Sequence, residues 1–233
     1  MTADALHISV IVPVLNEAAA IGSTLAALQA MRERGHEIIV VDGGSRDETV
    51  DIAVPLADQV LHAPRGRSRQ LQAGADKAHG DILWFLHADT GVPADSERLI
   101  IRALQDGNRK WGRFDIGFSD GGLRMRLVAA SMNLRSRLTG IATGDQGIFV
   151  SRELFGEING YPDIPLMEDI ALSRSLRRRT RPACLRTRLV TSPRRWQTHG
   201  YLRTVLLMWG LRLGYFLGVA PATLAKYYGA GPR

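Results

Sequence analysis

The 233-residue chain has a single cysteine, Cys184. It can therefore form no internal disulfide and no cysteine-built metal centre. That suits a reducing compartment, and the expected location is cytoplasmic. Aromatic residues are few, at 6%, and the cluster Arg177, Arg178, Arg179 and Arg181 has none within it. Nucleic-acid binding needs aromatics interleaved with the basic residues, so the cluster reads as a solvated helix end, and no nucleic acid is expected. No fixed-period repeat or low-complexity tract is present, which excludes a solenoid. The N-terminus shows neither a basic segment nor a cleavage pattern, so no signal peptide is expected. Long uncharged apolar runs are missing too. The most apolar stretch, residues 201–219, contains Arg203 and Arg212, and a central Arg costs about 2.5–3.5 kcal/mol on insertion. A span is disfavoured. A core helix and an interfacial helix at the inner membrane face both stay open, so residues 201–219 are a candidate peripheral membrane contact. Acid is also short: 23 acidic residues face 30 basic ones, for a net charge of +7. Such a balance favours anionic partners, among them nucleotide diphosphates and anionic membranes.

What is present alternates. The run 8–14 is β-branched and ends in polar residues, and Ile21, Leu25, Leu28 and Met31 share one helical face. Strands are predicted at 37–41, 58–61 and 82–86, with helices from 47 to 53 and over 68–78. Strand–helix alternation implies crossover connections and a mainly parallel sheet flanked by helices, an α/β fold. The continuous apolar strands agree, because parallel strands are covered on both faces. Farther on, the pattern predicts a strand at 116–118, a helix over 123–138, a strand and helix start within GDQGIFVSRELF, and a helix opening near Glu168 after a loop kept extended by Pro162 and Pro165. No linker interrupts the chain. It reads as one domain with a nucleotide half (about 7–110), an acceptor half (about 111–200) and a C-terminal helical segment (201–233).

In open α/β sheets ligands gather at the carboxyl ends of the strands. Those ends here carry Asn16 and Glu17, then Asp42, Gly43, Gly44 and Ser45, then His87, Ala88 and Asp89. Asp42 can accept a hydrogen bond from a nucleobase, and the glycines after it let backbone approach a ligand. Ser45 and Asp47 read first as caps of the next helix. Asp89 suits a hard divalent cation bridging diphosphate oxygens. His87 lies two residues away, so in an extended chain it faces the same side, and its imidazole favours manganese over calcium. Glu168 and Asp169 open a helix, where an acid can serve the dipole or act as a general base. Arg194, Arg195 and Trp196 follow a Ser-Pro and suit a diphosphate and a flat ring. His199 stands next as a candidate metal ligand. No G-x-G-x-x-G follows the first strand, so a dinucleotide site is not expected.

Taken in order, VIVPVLNE, IIVVDGGSRDET, GRSRQLQAGADKAHGD, LWFLHADTGVP, GDQGIFVSRELF, LMEDIALSRSLRR and SPRRW resemble glycosyltransferase family 2, whose fold is GT-A. More narrowly, they resemble its radical-SAM/selenodomain-associated branch. The likeness runs from about residue 7 to 228. It implies that Pro13, Asn16 and Glu17 flank the nucleotide, that Asp42 contacts the base and that Arg69 lies near the nucleotide. It also implies Asp89 as a ligand of Mn2+ or Mg2+ and Asp169 as catalytic base beside Glu168. The family's usual D-x-D is His87-Ala88-Asp89 here, and RRW is a shortened Q-x-x-R-W without the Gln, which speaks against processive synthesis.

The reaction so implied is an inverting transfer from a nucleotide-diphosphate sugar, UDP-linked by family analogy, to an unidentified hydroxyl acceptor. Two alternatives are a nucleotidyltransferase and a non-catalytic protein that binds nucleotide and membrane. The first wants a Gly-rich, Lys-containing loop after the first strand, where PVLNEAAAIG stands.

Overall fold

The computed structural model describes residues 6–120, 122–192 and 200–229. Its centre follows from the apolar runs. β1 (Ile8–Val14) and β2 (Glu37–Asp42) pair in parallel, and β4 (Ile82–Phe85) lies on the other side of β1. Side chains from both faces of these strands are buried. α1 (Ala18–Glu33) covers one face through Ile21, Leu25, Leu28 and Met31. Each such side chain contributes about 1.5–3 kcal/mol by leaving water. α3 (Arg67–Lys77) covers the opposite face through Leu71 and Ala75. It lies very close to the sheet at Gly74, where a Cβ would come within 2.5 Å of the Ile11 Cγ2 methyl. Between these helices run the short α2 (Thr49–Ala53) and β3 (Gln59–His62), which pairs with β2.

Strand order across the eight-stranded sheet is β3-β2-β1-β4-β7-β6-β8-β5. The first four neighbours are parallel, as the alternation implies. Beyond β4 the sheet is mixed. β7 (Phe149–Ser151) runs antiparallel to β4 and β6 (Trp111–Phe118), while β8 (Ala183–Thr191) runs parallel to β6 and antiparallel to the short β5 (Thr90–Gly91). β6 starts five residues earlier than the sequence pattern gives, and β8 and α4 (Ser96–Gln105) escape that pattern altogether. The cause is visible in β6. Arg113 is fully buried there, pairs with Asp115, and donates to the Asn133 carbonyl at 3.1 Å. Asp115 also pairs with Arg137. Charges that satisfy one another inside look like surface residues in a sequence.

α5 (Gly122–Thr139) packs on β6, and α6 (Arg152–Glu157) follows β7 with Ser151 as its N-cap. α7 (Glu168–Arg179) ends in the arginine cluster, whose residues 177–179 are exposed as expected of a solvated helix end. Last come α8 (Tyr201–Phe216) and α9 (Pro221–Gly229). Leu211 of α8 and Leu224 of α9 form a small apolar cluster with Met167, joined by Ile170 and Met208. The other face of α8 stays open, with Phe216 81% and Trp209 66% exposed. The core reading of residues 201–219 holds for the face of α8 that carries Leu211. Among the described residues, no helix is long and apolar enough to cross a membrane.

Candidate active site

The loops after β1 and β2 hold each other. Asn16 takes a positive φ of 55°; its N–H donates to Ser45 Oγ at 2.9 Å, and its Oδ1 accepts from Arg46 N–H at 2.8 Å. The Glu17 N–H donates to Thr49 Oγ1 at 2.8 Å. Asp47 accepts from Ala18 N–H and from Thr49 N–H, the first residues of α1 and α2. One carboxylate thereby meets an orphan donor at the start of each helix. Ser45 is not the cap its position suggests; its hydroxyl belongs to the neighbouring loop. Asp42 is buried and accepts from Gly44 and Ser45 N–H, with His62 Nδ1 at 3.3 Å. Burial pushes its carboxyl up, but the Ser45 and Gly44 donors outweigh this and hold it below the ordinary range. Asp42 therefore shapes its own loop. Gly43 follows, with its N–H on the Val14 carbonyl and the Gln70 amide packed against its Cα. Pro13 sits half-buried one residue before β1 ends.

At the end of β4 the chain does not continue extended. The strand stops at Phe85, and Ala88 and Asp89 form a turn. Thr24 of α1 pins this turn by donating to the Ala88 carbonyl at 2.7 Å, with the Thr90 carbonyl at 3.3 Å. The strand-alternation argument that sets His87 and Asp89 on one side loses its premise, because the backbone there is not an extended strand. His87 instead pairs through Nδ1 with Asp145 Oδ1 at 3.1 Å. The backbone of Gly144 presses on the same ring, where a Cβ would lie 2.4 Å from His87 Nε2. Only glycine permits that approach. Ala88 is buried, and the Asp89 carboxylate has no hydrogen bond or ion pair among the described residues.

Across the rim stands the start of α7. Met167, immediately before it, holds a left-handed φ of 68° and is buried under Leu211 and Leu224. Packing thus fixes a backbone state that costs a non-glycine residue about 1–2 kcal/mol. Asp169 Oδ2 accepts from the Gly144 N–H at 3.0 Å, and Oδ1 accepts from Ile170 N–H at 2.7 Å. Glu168 is buried, with Arg67 NH1 at 3.7 Å. Burial and then the neighbouring Asp169 charge raise the Glu168 carboxyl above its ordinary range, against the pull of Arg67. The Tyr161 hydroxyl is raised for the same reasons, burial first and then Glu168. One narrow cavity is lined by His87, Gly144, Tyr161, Glu168, Asp169 and Arg67. Farther along α7 a larger groove is lined by Arg174, Arg178 and Tyr215, with no carboxylate in its lining.

The structure thus brings His87, Glu168 and Asp169 to one cavity, and sets Asp42 and Asp89 outside its lining. Arg69 clasps Asp163 through Nε at 2.8 Å and NH2 at 3.1 Å. Its neighbours share that duty: Ser68 donates to the Ile164 carbonyl at 3.0 Å, and Arg67 faces Glu168. The first turn of α3 therefore clamps the loop that delivers the acid pair. Arg67, Gly144, Asp145 and Tyr161 were missed as site residues. The signal available was their place within the quoted stretches GRSRQ, GDQG and NGYP. Arg195, Trp196 and His199 lie outside the described residues. Among the described residues no group of three or more His, Cys, Asp or Glu is placed to hold a metal ion. An unpartnered Asp89 still suits an ion of the magnesium type, which binds through one or two carboxylates and completes its shell with substrate phosphates and water.

A half-parallel sheet that turns mixed beyond β4, with polar loops on its carboxyl rim, defines the GT-A class of glycosyltransferases. Solved structures share this fold. TarS of S. aureus superposes with a TM-score of 0.63 at 16% identity, covering 81% of this chain and 61% of that one. The Pyrobaculum calidifontis mannosyltransferase PcManGT, in complex with GDP-Man and Mn2+, gives 0.61 at 22% identity, covering 79% and 56%. Residues 9–156 match the model of glycosyl transferase family 2, and the chain belongs to that family. Among curated relatives, the undecaprenyl-phosphate 4-deoxy-4-formamido-L-arabinose transferase of Pseudomonas syringae is 28% identical over 152 residues, 60% of this chain and 45% of its own length. The Pseudomonas paraeruginosa enzyme of the same name is 31% identical over 153 residues, 60% and 44%. The chain thus spans less than half the length of these relatives. Family membership sets aside the nucleotidyltransferase alternative.

Proposed function

We propose that this glycosyltransferase moves a sugar from a nucleotide-diphosphate donor, UDP-linked, to an acceptor hydroxyl with inversion, and that Asp169 is the base. The observation that carries this reading is the placement of Asp169 at the mouth of α7. Its carboxylate is oriented by the Gly144 N–H, in a cavity shared with His87 and Glu168. Asp169 takes the hydroxyl proton; the oxygen attacks the anomeric carbon from the face opposite the nucleotide; the glycosidic C–O bond breaks and the nucleotide diphosphate leaves. Glu168, buried against Arg67, holds the acid pair in place. Pro13, Asn16, Glu17, Asp42, Gly43 and Ser45 are assigned to the nucleotide, the last five through the backbone they fix. Asp89 would hold Mn2+ or Mg2+, whose chemistry is to neutralise charge on the departing diphosphate. The His87-Ala88-Asp89 turn, in place of two acids, supports the radical-SAM/selenodomain-associated branch.

Asp169→Asn tests the assignment. Turnover should fall about 10²–10⁴-fold, the usual worth of a positioned base, while UDP binding followed by thermal shift stays unchanged. Joint loss of binding and turnover would remove Asp169 from the role. Slow release of sugar to water from donor plus manganese, without acceptor, separates an enzyme from a pure binding module.

A further inference from the structure

Thr24 is an unexpected residue for its place in the fold. It stands inside α1 on the buried side, among Ile21, Leu25 and Leu28, and is itself only 2% exposed. A β-branched side chain with a hydroxyl is a mediocre helix former and a poor core filler. Within a helix such a hydroxyl commonly turns back onto a carbonyl of its own chain segment. The preceding residue does so: Ser23 Oγ donates to the Ala20 carbonyl at 2.8 Å. Thr24 reaches out of the helix instead, to a turn 64 residues away. Its Oγ1 donates to the Ala88 carbonyl at 2.7 Å, and the Thr90 carbonyl stands 3.3 Å from the same oxygen.

Those two carbonyls belong to the residues on either side of Asp89. Ala88 and Thr90 are buried, and Asp89 between them is half-buried. One hydroxyl therefore holds the turn at both shoulders of the unpartnered carboxylate. His87 is held separately, by Asp145 at 3.1 Å. The start of α1 is fixed as well: the Glu17 and Ala18 N–H groups donate to Thr49 and Asp47 beyond β2. A single helix thus joins the loops assigned to the nucleotide with the turn that carries Asp89.

From this arrangement we infer that Thr24 is a positioning residue for the divalent cation: its hydroxyl fixes the backbone around Asp89 and so sets the affinity of the turn for Mn2+ or Mg2+. The inference rests on the reading of Asp89 as a metal ligand. A magnesium-type ion takes one or two carboxylates, with water and phosphate oxygens completing its shell. With so few protein ligands, affinity depends on how little freedom the carboxylate has left to lose when the ion arrives. Removing a group that orients a ligand costs about 10–100-fold in metal affinity. Thr24 acts through backbone rather than on the carboxylate itself, which points to the lower figure.

Titration of Mn2+ into the full chain with UDP present, followed by the EPR signal of the free ion, tests the inference. Thr24→Val keeps the shape, deletes the hydroxyl and should weaken Mn2+ about tenfold. Thr24→Ala, a better helix former, carries the same expectation should the valine variant not fold. Thr24→Ser keeps the hydroxyl and should retain most of the affinity. The thermal shift given by UDP without metal should stay at the parental value in all three, because the loops after β1 and β2 keep their own hydrogen bonds. Parental Mn2+ affinity in Thr24→Val and Thr24→Ala overturns the inference. So does a Thr24→Ser protein as weak as Thr24→Ala, which assigns the effect to the lost methyl group. An equal loss of the metal-free UDP response also overturns it, by making Thr24 a general prop of the rim. Asp89→Asn separates the inference from the reading beneath it. A parent that binds no Mn2+, or an Asp89→Asn protein that binds it equally well, removes Asp89 as the ligand. Mn2+ lost in Asp89→Asn but kept in the Thr24 variants removes Thr24 alone.

Discussion

Residues 7–110 and the chain beyond them satisfy their buried polar groups unequally: among the described residues, only Trp84 and Glu97 of the first stretch leave a buried side-chain atom unpartnered. In the first, the buried Asp42 and Gln70 and the half-buried Glu37 hand most of their oxygens and amide hydrogens to backbone or to a neighbouring side chain. In the second, Arg135, Arg212, Ser136 and Gln146 bury polar atoms that find nothing. A satisfied network fixes one geometry, which a loop cradle for a recurring ligand requires. Unmet donors are tolerated where a ligand completes them, at some cost to the empty protein. The contrast separates a stretch whose polar groups fix one geometry from one in which several stay unmet.

Gln70→Leu should break the first half of that contrast most strongly. The Gln70 amide donates to the Val14 carbonyl at 2.8 Å and to the Val41 carbonyl at 2.9 Å, tying β1 to β2 where both reach the rim. Its loss should cost about 1–3 kcal/mol, read as a drop in Tm or in the denaturant midpoint. UDP affinity should fall with it, because Gly43 packs on the same amide. A Gln70→Leu protein as stable as the parent would mean that the network is ornamental.

Much of the first half was legible because its signals are local. Apolar runs gave β1, β2 and β4, and the face Ile21, Leu25, Leu28, Met31 gave α1. The acid pair and its rigid approach loop were legible as well. What sequence reasoning missed depends on contacts distant in the chain. Arg113 reads as a surface charge until Asp115 and the Asn133 carbonyl enclose it. Gly144 gains meaning only beside His87 and Asp169, which stand 57 and 25 residues away along the chain. Arg67 rather than Arg69 lines the cavity because α3 starts with its first turn clamped on the loop at 163–168, a tertiary fact with no periodic signature.

Acidity sharpens the comparison from another side. Burial pushes the Glu37 carboxyl up, yet donors from Ser9, His79 and Gln59 bring it below its usual 4.5. A depressed folded-state pKa contributes stability that is present above 4.5 and lost as pH falls through the lower value. Glu168 has the opposite sign: its raised carboxyl contributes stability fully present below 4.5 and lost as pH rises through the folded value. Melting curves from about pH 3 to 8 should therefore show Glu37→Gln flattening the acid limb, and Glu168→Gln flattening the decline toward neutrality. Identical pH profiles for both variants would mean that the halves do not differ in this respect.

The smallest expected effect is the most pointed one. Ser136 lies in α5 with no exposed surface and a hydroxyl that meets no partner. Ser136→Ala deletes one buried unsatisfied oxygen, opens a space smaller than a methyl group, and replaces a moderate helix former with the best one. The propensity gain alone is about 0.5 kcal/mol, and relief of the stranded hydroxyl adds in the same direction. Chemical denaturation should place the variant level with the parent or up to about 1 kcal/mol above it. The same serine-to-alanine change at Ser9 points the other way. Its hydroxyl donates to Glu37 Oε2 at 2.6 Å and accepts from the Gly80 N–H at 2.8 Å, so its removal strands a buried N–H. Two identical substitutions of opposite sign, one in each half, are what unequal satisfaction demands; equal losses at both sites would show that Ser136 has a partner its surroundings supply.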